Sequence, residues 1–404
     1  MTKASGNNES KQERQKRKLG KFFLGDFNMV DVKEILAKAI EKEASDVHIN
    51  VGMPPVIRKN TELFNLDFPV QSNADAKEMV ISMIGPDRFK VFEENRDIDF
   101  STTIDDGHRF RVNAHYQCDT IAISFRVIPN QIPSIDALHL PAIVKELTDL
   151  PRGLVLVTGH TGSGKSTTLA GMIGLINKKY TKRIITLEDP VEYALENEMS
   201  MIEQREIGFD CPDFASGLRH VLRQDPDIIM VGEMRDLETT SSTITAAETG
   251  HLVFSTLHTI NAPQTIERII DIYPASQQSQ IQTMLANTLQ AVISQTLFRR
   301  VDKPGMVPCT EILLCTSAVR NCIRENRIYE IPNIIETSRR VGMRNMDNSI
   351  VDMYLKGYID REEAITRSSN PGKMDKTLPP MEKSVGATKS KKAQRESEVV
   401  SVEK

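Results

Sequence analysis

The chain has 404 residues, of which 39% are hydrophobic and 26% charged, and its formal net charge is −4. These values are typical of a soluble protein with two or three domains, and they exclude a strong overall basic field for binding nucleic acid. No apolar run approaches the roughly 18 residues of a membrane-spanning helix. The charged N-terminus, together with five cysteines that form no C-x-x-C pair, favours a reduced, cytoplasmic protein without a secretory signal.

Both ends of the chain predict disorder. Residues 1–21 contain seven Lys or Arg against two Glu and show no hydrophobic period. We therefore expect residues 1–28 to form a basic disordered tail, with transient contact to an acidic lipid or partner as the alternative. Residues 369–404 are rich in Lys, Ser, Glu and Pro. We expect a second disordered tail there.

Residues 29–130 predict a small α+β domain. Apolar side chains first recur at helical spacing, at Val32, Ile35, Leu36 and Ile40. Short strand-like runs follow, at residues 46–49, 98–100, 110–112 and 121–127. One helix followed by several strands is typical of an α+β domain. The prolines of residues 129–141 indicate a linker, which we place at 131–141.

Residues 142–368 predict an α/β domain that ends in helices. Continuous apolar runs alternate with helical patterns, and the runs lie at 153–157, 183–187, 227–231 and 251–255. Strands that are apolar throughout, with helices between them, indicate a mainly parallel sheet that is covered on both faces.

A phosphate-binding pattern lies directly after the first of these runs. Residues 159–166 fit G-x-x-x-x-G-K-[ST] in full. Glycines let backbone N–H groups turn onto phosphate oxygens, Lys165 can reach the β- and γ-phosphates, and the Ser166 hydroxyl can bind Mg²⁺. The residues expected to contact nucleotide here are Gly159, Thr161, Gly162, Ser163, Gly164, Lys165, Ser166 and Thr167. A glycine-rich turn without nucleotide is the alternative.

Acidic residues follow two of the other strands. Glu233 comes just after the run at 227–231, where a carboxylate could hold Mg²⁺ through water or polarise the attacking water. A structural cap or salt bridge is the alternative for Glu233. Glu188, Asp189 and Glu192 follow the run at 183–187, and we expect a metal or water role for them, with solvated loop residues as the alternative.

Two histidines bracket the fourth apolar run. His251 precedes it and His258 follows it, and we expect both in a loop on the phosphate side of the sheet. There, His258 could read the γ-phosphate and pass its loss to neighbouring elements. The alternative for each is an ordinary hydrogen-bonding histidine.

Taken together, these segments resemble the secretion ATPases, specifically the type IV pilus retraction ATPases (the PilT type). Four segments resemble the Walker A, Asp box, Walker B and His box motifs of that family, at residues 159–167, 186–193, 225–236 and 249–259. Residues 44–49 resemble the opening strand of the family's PAS-like N-terminal domain, and residues 318–325 resemble its AIRNLIRE motif. The resemblance covers most of the chain.

The resemblance implies a RecA-like P-loop ATPase domain with a smaller PAS-like N-terminal domain, assembled into a homo-hexamer that uses ATP and Mg²⁺. It implies that Arg111 and Arg126 of the N-terminal domain reach the phosphates, with plain strand-surface charge as the alternative. In the segment 318–325, we expect Arg320 and Asn321 to present donors outward and to transmit the nucleotide state, with an ordinary solvated helix end as the alternative.

The function implied is a motor that hydrolyses ATP to retract a type IV pilus, in twitching motility. Related extension and secretion ATPases commonly carry a further N-terminal domain and a four-cysteine zinc insertion, and we expect neither in this protein. The expected partners are an inner-membrane platform protein at the cytoplasmic face and a second retraction ATPase, with no nucleic acid. An accessory retraction ATPase (the PilU type), a DNA-uptake or secretion motor, and a nucleotide-gated binding module with negligible turnover stay open as alternatives.

Overall fold

The structure, a computed structural model, describes residues 30–59, 62–128 and 132–379. The chain divides into two compact units, residues 1–130 and 131–404. The predicted tail at 1–28 lies outside the described residues, as do residues 380–404 of the second predicted tail. Within the described ranges, no helix is both long and apolar enough to cross a membrane.

The first unit pairs two helices with an antiparallel sheet. The helices are α1 (Val32–Glu41) and α2 (Asn73–Asn95), and the strands are β1 (Asp46–Asn50), β2 (Val56–Lys59), β3 (Glu62–Asn65), β4 (Asp97–Thr103), β5 (Arg109–Gln117) and β6 (Thr120–Ile128). Among the described residues the strand order is β3-β2-β1-β6-β5-β4. The α+β prediction is confirmed, including the first helix and the four predicted strands.

Sequence reasoning missed α2, the long helix of this unit. Ser72 and Asp75 form a capping box at its start, which satisfies free backbone donors. Gly85 then takes non-helical angles (φ +78°) and Pro86 follows, so the helix is kinked at this point. The kink changes the phase of the apolar positions, and no single helical period therefore spans the segment.

The second unit is built on a seven-stranded sheet. Its strands are β7 (Gly153–Thr158), β8 (Arg183–Glu188), β9 (Met201–Glu206), β10 (Ile228–Val231), β11 (Leu252–Leu257), β12 (Leu289–Arg299) and β13 (Met306–Leu314). In the described part of the unit their order is β13-β12-β7-β11-β10-β8-β9. All neighbours are parallel except β12 and β13. The predicted mainly parallel sheet is confirmed.

Helices surround this sheet and bury both of its faces. In the described part of the unit the α-helices are α3 (Ile143–Glu146), α4 (Lys165–Lys179), α5 (Phe214–Val221), α6 (Leu237–Glu248), α7 (Ala262–Asp271), α8 (Ala275–Thr288), α9 (Ser317–Arg324), α10 (Ile331–Thr337), α11 (Met346–Leu355), α12 (Arg361–Thr366) and α13 (Pro371–Thr377). Along β7, Leu154 and Leu156 pack into one apolar cluster, and Val155 and Val157 into another. This alternation explains why the strand reads as apolar throughout.

Two predicted boundaries need correction. The expected disorder of 369–404 is wrong for residues 371–377, which form α13, because Met374 and Leu378 anchor it in a buried apolar cluster. The predicted linker at 131–141 is, in its described part, a packed segment of the second unit. Ile135 and Leu140 are buried there against α4 and its neighbours. Scattered prolines and polar residues concealed these anchors in the sequence.

Candidate active site

The phosphate loop connects β7 to α4, as the pattern predicts. Its glycines adopt backbone angles that other residues avoid, with φ of +77° at Gly162 and +85° at Gly164. A Cβ atom on Gly159 would collide with the carbonyl oxygen of Gln295. The glycines therefore allow the loop to lie close against β12. The start of α4 follows, and its free N–H groups and helix dipole favour an anion.

Lys165 is held at this loop by backbone oxygens. Its Nζ donates to the carbonyl oxygens of Gly159 at 2.9 Å and His160 at 3.2 Å. Burial lowers the pKa of Lys165, while the negative charges of Glu233 and Glu192 oppose that shift. A half-buried ammonium with only carbonyl partners is available for a phosphate to bind.

Strand β12 supports the loop through Gln295, a residue that sequence reasoning missed. The Gln295 amide nitrogen donates to the Ser163 carbonyl oxygen at 2.7 Å, and its oxygen accepts from the Thr168 hydroxyl at 2.8 Å. Ser163 Oγ itself is buried, without a hydrogen-bond partner among the described residues. Thr167 is fixed separately, by a 2.9 Å hydrogen bond to the hydroxyl of Tyr193. In the sequence, the position of polar Gln295 among the apolar residues of β12 could have indicated this role.

Glu233 and His258 meet at the carboxyl ends of β10 and β11. These strands are parallel neighbours, with Val231 opposite Ser255. The Glu233 side chain is 15% exposed, its Oε2 lies 3.0 Å from His258 Nε2, and its other oxygen pairs with Arg235. The structure thus brings together the predicted carboxylate and histidine, beside the phosphate loop. Arg235 is a further partner that sequence reasoning missed.

The acids after β8 occupy different surroundings. Glu188 is buried, and its Oε1 accepts from the Thr186 hydroxyl at 2.6 Å and the Gln204 amide at 3.0 Å. Asp189 is exposed and lines a cavity of about 370 Å³ together with Glu233. Glu192 is half-buried and close enough to influence Lys165. Glu188 is therefore held firmly at the end of β8.

The expectation that both histidines lie on the phosphate side is wrong for His251. Its backbone oxygen accepts from the N–H of Gly153, the first residue of β7, so His251 lies at the amino ends of the strands. Its Nδ1 is 2.9 Å from the carbonyl oxygen of Ala246 and 3.2 Å from the Thr249 hydroxyl. A strand has two ends, and residues that bracket it must lie at opposite edges of the sheet.

Arg111 and Arg126 are exposed neighbours on the sheet of the first unit. They lie directly opposite each other on β5 and β6, and Asp46 lies opposite Arg126 on β1. Arg126 Nε donates to Asp46 Oδ1 at 3.0 Å, although the Arg126 side chain is 74% exposed. Two like charges in facing positions destabilise a sheet. Contact between these arginines and phosphate stays a prediction.

The structure contradicts the outward orientation expected for Arg320. Its guanidinium donates to the carbonyl oxygens of Ala286 and Asn287, the latter at 3.0 Å, and to the side chain of Gln290 at 3.0 Å. Arg320 therefore caps the C-terminal end of α8, where free carbonyls and the helix dipole favour a cation. Asn321 is exposed, as expected. Helical spacing alone did not reveal that α8 packs beside α9.

The site can supply the oxygen ligands that Mg²⁺ prefers. Ser166 lies in the first turn of α4, and Glu233 carries a carboxylate whose charge reaches Lys165. Hydroxyl and carboxylate oxygens suit this hard cation, usually with several waters retained. The donor set is therefore compatible with the predicted metal.

Comparison with known proteins agrees with the resemblance seen in the sequence. Residues 27–367 match the family model of the type II/IV secretion system proteins. A type IV pilus retraction ATPase, PilT of Pseudomonas aeruginosa, is 41% identical over 342 residues, which are 85% of this chain and 99% of PilT. A twitching motility protein of Neisseria gonorrhoeae is 43% identical over 320 residues, 79% of this chain and 86% of that protein.

A solved structure shows the same fold. The crystal structure of the pilus retraction motor PilT with bound ADP has a TM-score of 0.79 and 41% identity, and the match covers 86% of this chain and 99% of that one. The P-loop α/β fold with a separate N-terminal domain is thereby confirmed. The chain belongs to the type II/IV secretion system protein family, and its relatives include the PilT-type retraction ATPases.

Proposed function

We propose that the protein is an ATP-hydrolysing motor that powers type IV pilus retraction. One observation carries the proposal: a phosphate loop with Lys165 lies at the same sheet edge as the Glu233–His258 pair. A nucleotide-gated binding module would need the loop but no carboxylate poised for water. The near-complete match to a retraction ATPase supports retraction as the work done.

Glu233 acts on the attacking water in this proposal. Its carboxylate is the natural base, since it is largely buried and lies at the phosphate side of the sheet. Both carboxylate oxygens are engaged, one by Arg235 and one by His258. Each carboxylate oxygen can accept a second hydrogen bond, so water can bind Glu233 while both partners stay in place. His258 links the state of the γ-phosphate to Glu233, and the buried Glu188 is held by Thr186 and Gln204.

Mg²⁺ would be held by the Ser166 hydroxyl and, through water, by Glu233, and it would neutralise charge on the β- and γ-phosphates. Lys165 binds the same phosphates, and the loop amides complete their cradle. ADP in the structure of the PilT relative supports nucleotide as the ligand.

The proposed working form is a homo-hexamer at the cytoplasmic face of the inner membrane. Arg111 and Arg126 complete the phosphate site in this form, since planar guanidinium groups suit phosphate recognition. The exposure of both side chains supports that role. A pilus platform protein of the inner membrane is the proposed recipient of the work, with a second retraction ATPase as a further partner.

A steady-state ATPase assay of the purified full-length chain tests the proposal. We expect Mg²⁺-dependent ATP turnover that Lys165→Ala abolishes, because the loop loses the cation that binds phosphate. In cells, Lys165→Ala at normal protein level should abolish pilus retraction. ATP binding with no turnover would support the binding module, and ATP turnover with normal retraction in a deletion strain would point to another secretion motor.

A further inference from the structure

Strand β12 changes from apolar to polar where it passes the phosphate loop. Ala291, Val292 and Ile293 are fully buried apolar residues, and the two that follow them, Ser294 and Gln295, are buried as well. A buried polar side chain costs free energy unless it is hydrogen-bonded. Both polar residues therefore need partners, and both find them within residues 158–168.

These partners lie at the entry, the middle and the exit of the loop. At the entry, the hydroxyl of Thr158, the last residue of β7, donates to the Ser294 hydroxyl at 2.9 Å. In the middle, Gln295 Nε2 donates to the Ser163 carbonyl oxygen at 2.7 Å. At the exit, in the first turn of α4, the Thr168 hydroxyl donates to Gln295 Oε1 at 2.8 Å. One side chain, that of Gln295, thus bridges the loop and the helix.

Chemistry defines which way the Gln295 amide points. The Ser163 carbonyl can only accept a hydrogen bond, so the Gln295 atom that faces it must be the NH₂ group. The amide oxygen then faces Thr168, whose hydroxyl can donate. Both ends of the amide are used, and a hydrocarbon of the same size could replace neither bond.

The bond to Ser163 also orients the next backbone N–H. The Ser163 carbonyl and the Gly164 N–H belong to one planar trans peptide, so they point to opposite sides. Because Gln295 holds the carbonyl towards β12, the Gly164 N–H points away from β12. A Cβ atom on Gly164 would lie 2.8 Å from Gln295 Nε2, so glycine permits this close approach. An N–H in this orientation can bind an anion, whereas a carbonyl in its place would repel one.

A loop of this composition has other arrangements open to it. Gly159, Gly162 and Gly164 have φ of +146°, +77° and +85°, and glycine enters positive and negative φ about equally readily. If phosphate binds only one arrangement, its apparent Kd equals the intrinsic Kd divided by the fraction of molecules in that arrangement. Contacts that fix the loop before the ligand binds therefore increase the affinity.

We propose that Gln295 is a positioning residue that holds the phosphate loop in its anion-binding arrangement before nucleotide binds, through its bonds to Ser163 and Thr168. The inference rests on the proposed function, because the loop must bind the phosphates of a nucleotide. Gln295 acts through the loop peptides and needs no contact with phosphate. Once phosphate is bound, it holds the loop itself, so Gln295 affects binding and not the chemical step.

Gln295→Met tests this inference on the full chain, because methionine has a similar volume but lacks both the amide donor and the amide acceptor. We expect the Kd for tripolyphosphate with Mg²⁺, measured by calorimetry, to rise about 5- to 30-fold, the effect of one or two lost hydrogen bonds. In steady-state kinetics the KM for ATP should rise as well, while kcat at saturating ATP stays within about twofold of wild type. A rise in KM without a fall in kcat is the signature of a loop that is ordered by its ligand.

Variants of Thr168 test the same bridge from its other end. Thr168→Val removes the hydroxyl that orients the Gln295 amide and should also weaken tripolyphosphate binding, whereas Thr168→Ser keeps the hydroxyl and should rescue the affinity. Added to Gln295→Met, Thr168→Val should have little further effect, since the bridge is already lost. If Gln295→Met does not fold, the two Thr168 variants decide the question.

Ser349→Ala is the control for a general loss of stability. The Ser349 hydroxyl is buried and accepts from the Thr310 N–H at 2.9 Å, between α11 and β13. Its removal should lower the melting temperature and leave the Kd for tripolyphosphate at the wild-type value. Equal weakening of tripolyphosphate binding by Ser349→Ala and Gln295→Met would overturn the inference, because the affinity would then follow stability alone.

The remaining outcomes separate the two proposals. If the wild-type protein binds neither ATP nor tripolyphosphate, the proposed function fails and the role of Gln295 fails with it. If the wild-type protein binds both, and Gln295→Met and Thr168→Val keep its Kd, the role of Gln295 is overturned while the proposed function stands. A fall in kcat at unchanged KM would also overturn it, since Gln295 would then act in the chemical step.

Discussion

The two edges of the central sheet use the same residue types for different purposes. At the amino edge, Asp227 accepts from the Lys182 ammonium and the Arg183 N–H, both at 2.9 Å, and His251 bonds to the end of α6. At the carboxyl edge, the side chains of Lys165, Glu233 and His258 gather beside a glycine-rich loop. Charges at the first edge complete the secondary structure, whereas those at the second are arranged around a space for ligand.

Parallel connectivity accounts for this difference. Because β7, β11, β10 and β8 are adjacent and parallel, the loops that follow them converge at one edge. The same edge contains the start of α4, with its free N–H groups. Similar acids and histidines at the amino edge face no comparable set of donors. We expect substitutions at the two edges to separate catalysis from stability.

The largest expected effect is that of Glu233→Gln at the carboxyl edge. Removing the base should lower kcat by about 10²–10⁴-fold while ATP still binds, since the amide is isosteric. Asp227→Asn at the amino edge is the matched control and should keep kcat near the wild-type value. Steady-state kinetics with a binding assay check both. If Glu233→Gln hydrolysed ATP at the wild-type rate, Glu233 would not be the base and Glu188 would be assigned that role.

The two histidines provide a second test of the same contrast. His258→Gln should slow turnover roughly 10- to 100-fold, the effect of losing a hydrogen bond to a charged group. His251→Gln should leave turnover unchanged, because its ring contacts a helix end far from the phosphate edge. Parallel kcat measurements on both variants suffice. Equal losses from the two variants would mean that the edges are not functionally distinct.

A smaller effect is expected from the exposed arginines of the first unit. Arg111→Ala and Arg126→Ala should each slow turnover roughly tenfold if these groups reach phosphate in the assembled ring. The melting temperature should stay near the wild-type value, because exposed charges contribute little stability. Arg58→Ala, on the same sheet, is a useful comparison for nonspecific loss of charge. Unchanged kcat in both variants would mean that Arg111 and Arg126 are surface charges with no role in the phosphate site.

The smallest effect on ATP turnover is expected at α9, where two adjacent residues differ. Arg320→Ala should lower the free energy of unfolding by about 1–3 kcal/mol, because it leaves α8 carbonyl oxygens without their cap. Asn321→Ala should keep wild-type stability and ATP binding, yet abolish retraction in cells if this surface transmits the nucleotide state. Denaturant unfolding and a twitching assay separate the two. Normal twitching by Asn321→Ala at normal protein level would contradict transmission.

The sequence allowed prediction of those parts that depend on local pattern. Continuous apolar runs identified β7, β8, β10 and β11, and the glycine spacing identified the phosphate loop with Lys165. Adjacent strand ends then explain the grouping of Glu233 with His258. These features are encoded within about ten residues each, which is the range over which periodicity and turn chemistry are informative.

Long-range contacts were beyond such reasoning. Gln295 supports a loop that lies more than a hundred residues earlier in the chain, and Arg320 caps a helix that precedes its own. The edge to which His251 belongs depends on strand direction, and His139 meets Arg300 only through tertiary packing. No local period records these contacts, because they follow from how the elements pack.

Hydrogen exchange of backbone amides, measured with and without ADP, tests the contrast between the edges most directly. ADP binding at the carboxyl edge should slow exchange in peptides that cover residues 159–168, where loop amides bond to phosphate. Peptides that cover residues 224–227 and 249–252, at the amino edge, should exchange at unchanged rates, and Lys165→Ala should remove the protection. Protection at the amino edge, or none at residues 159–168 under saturating ADP, would contradict the account.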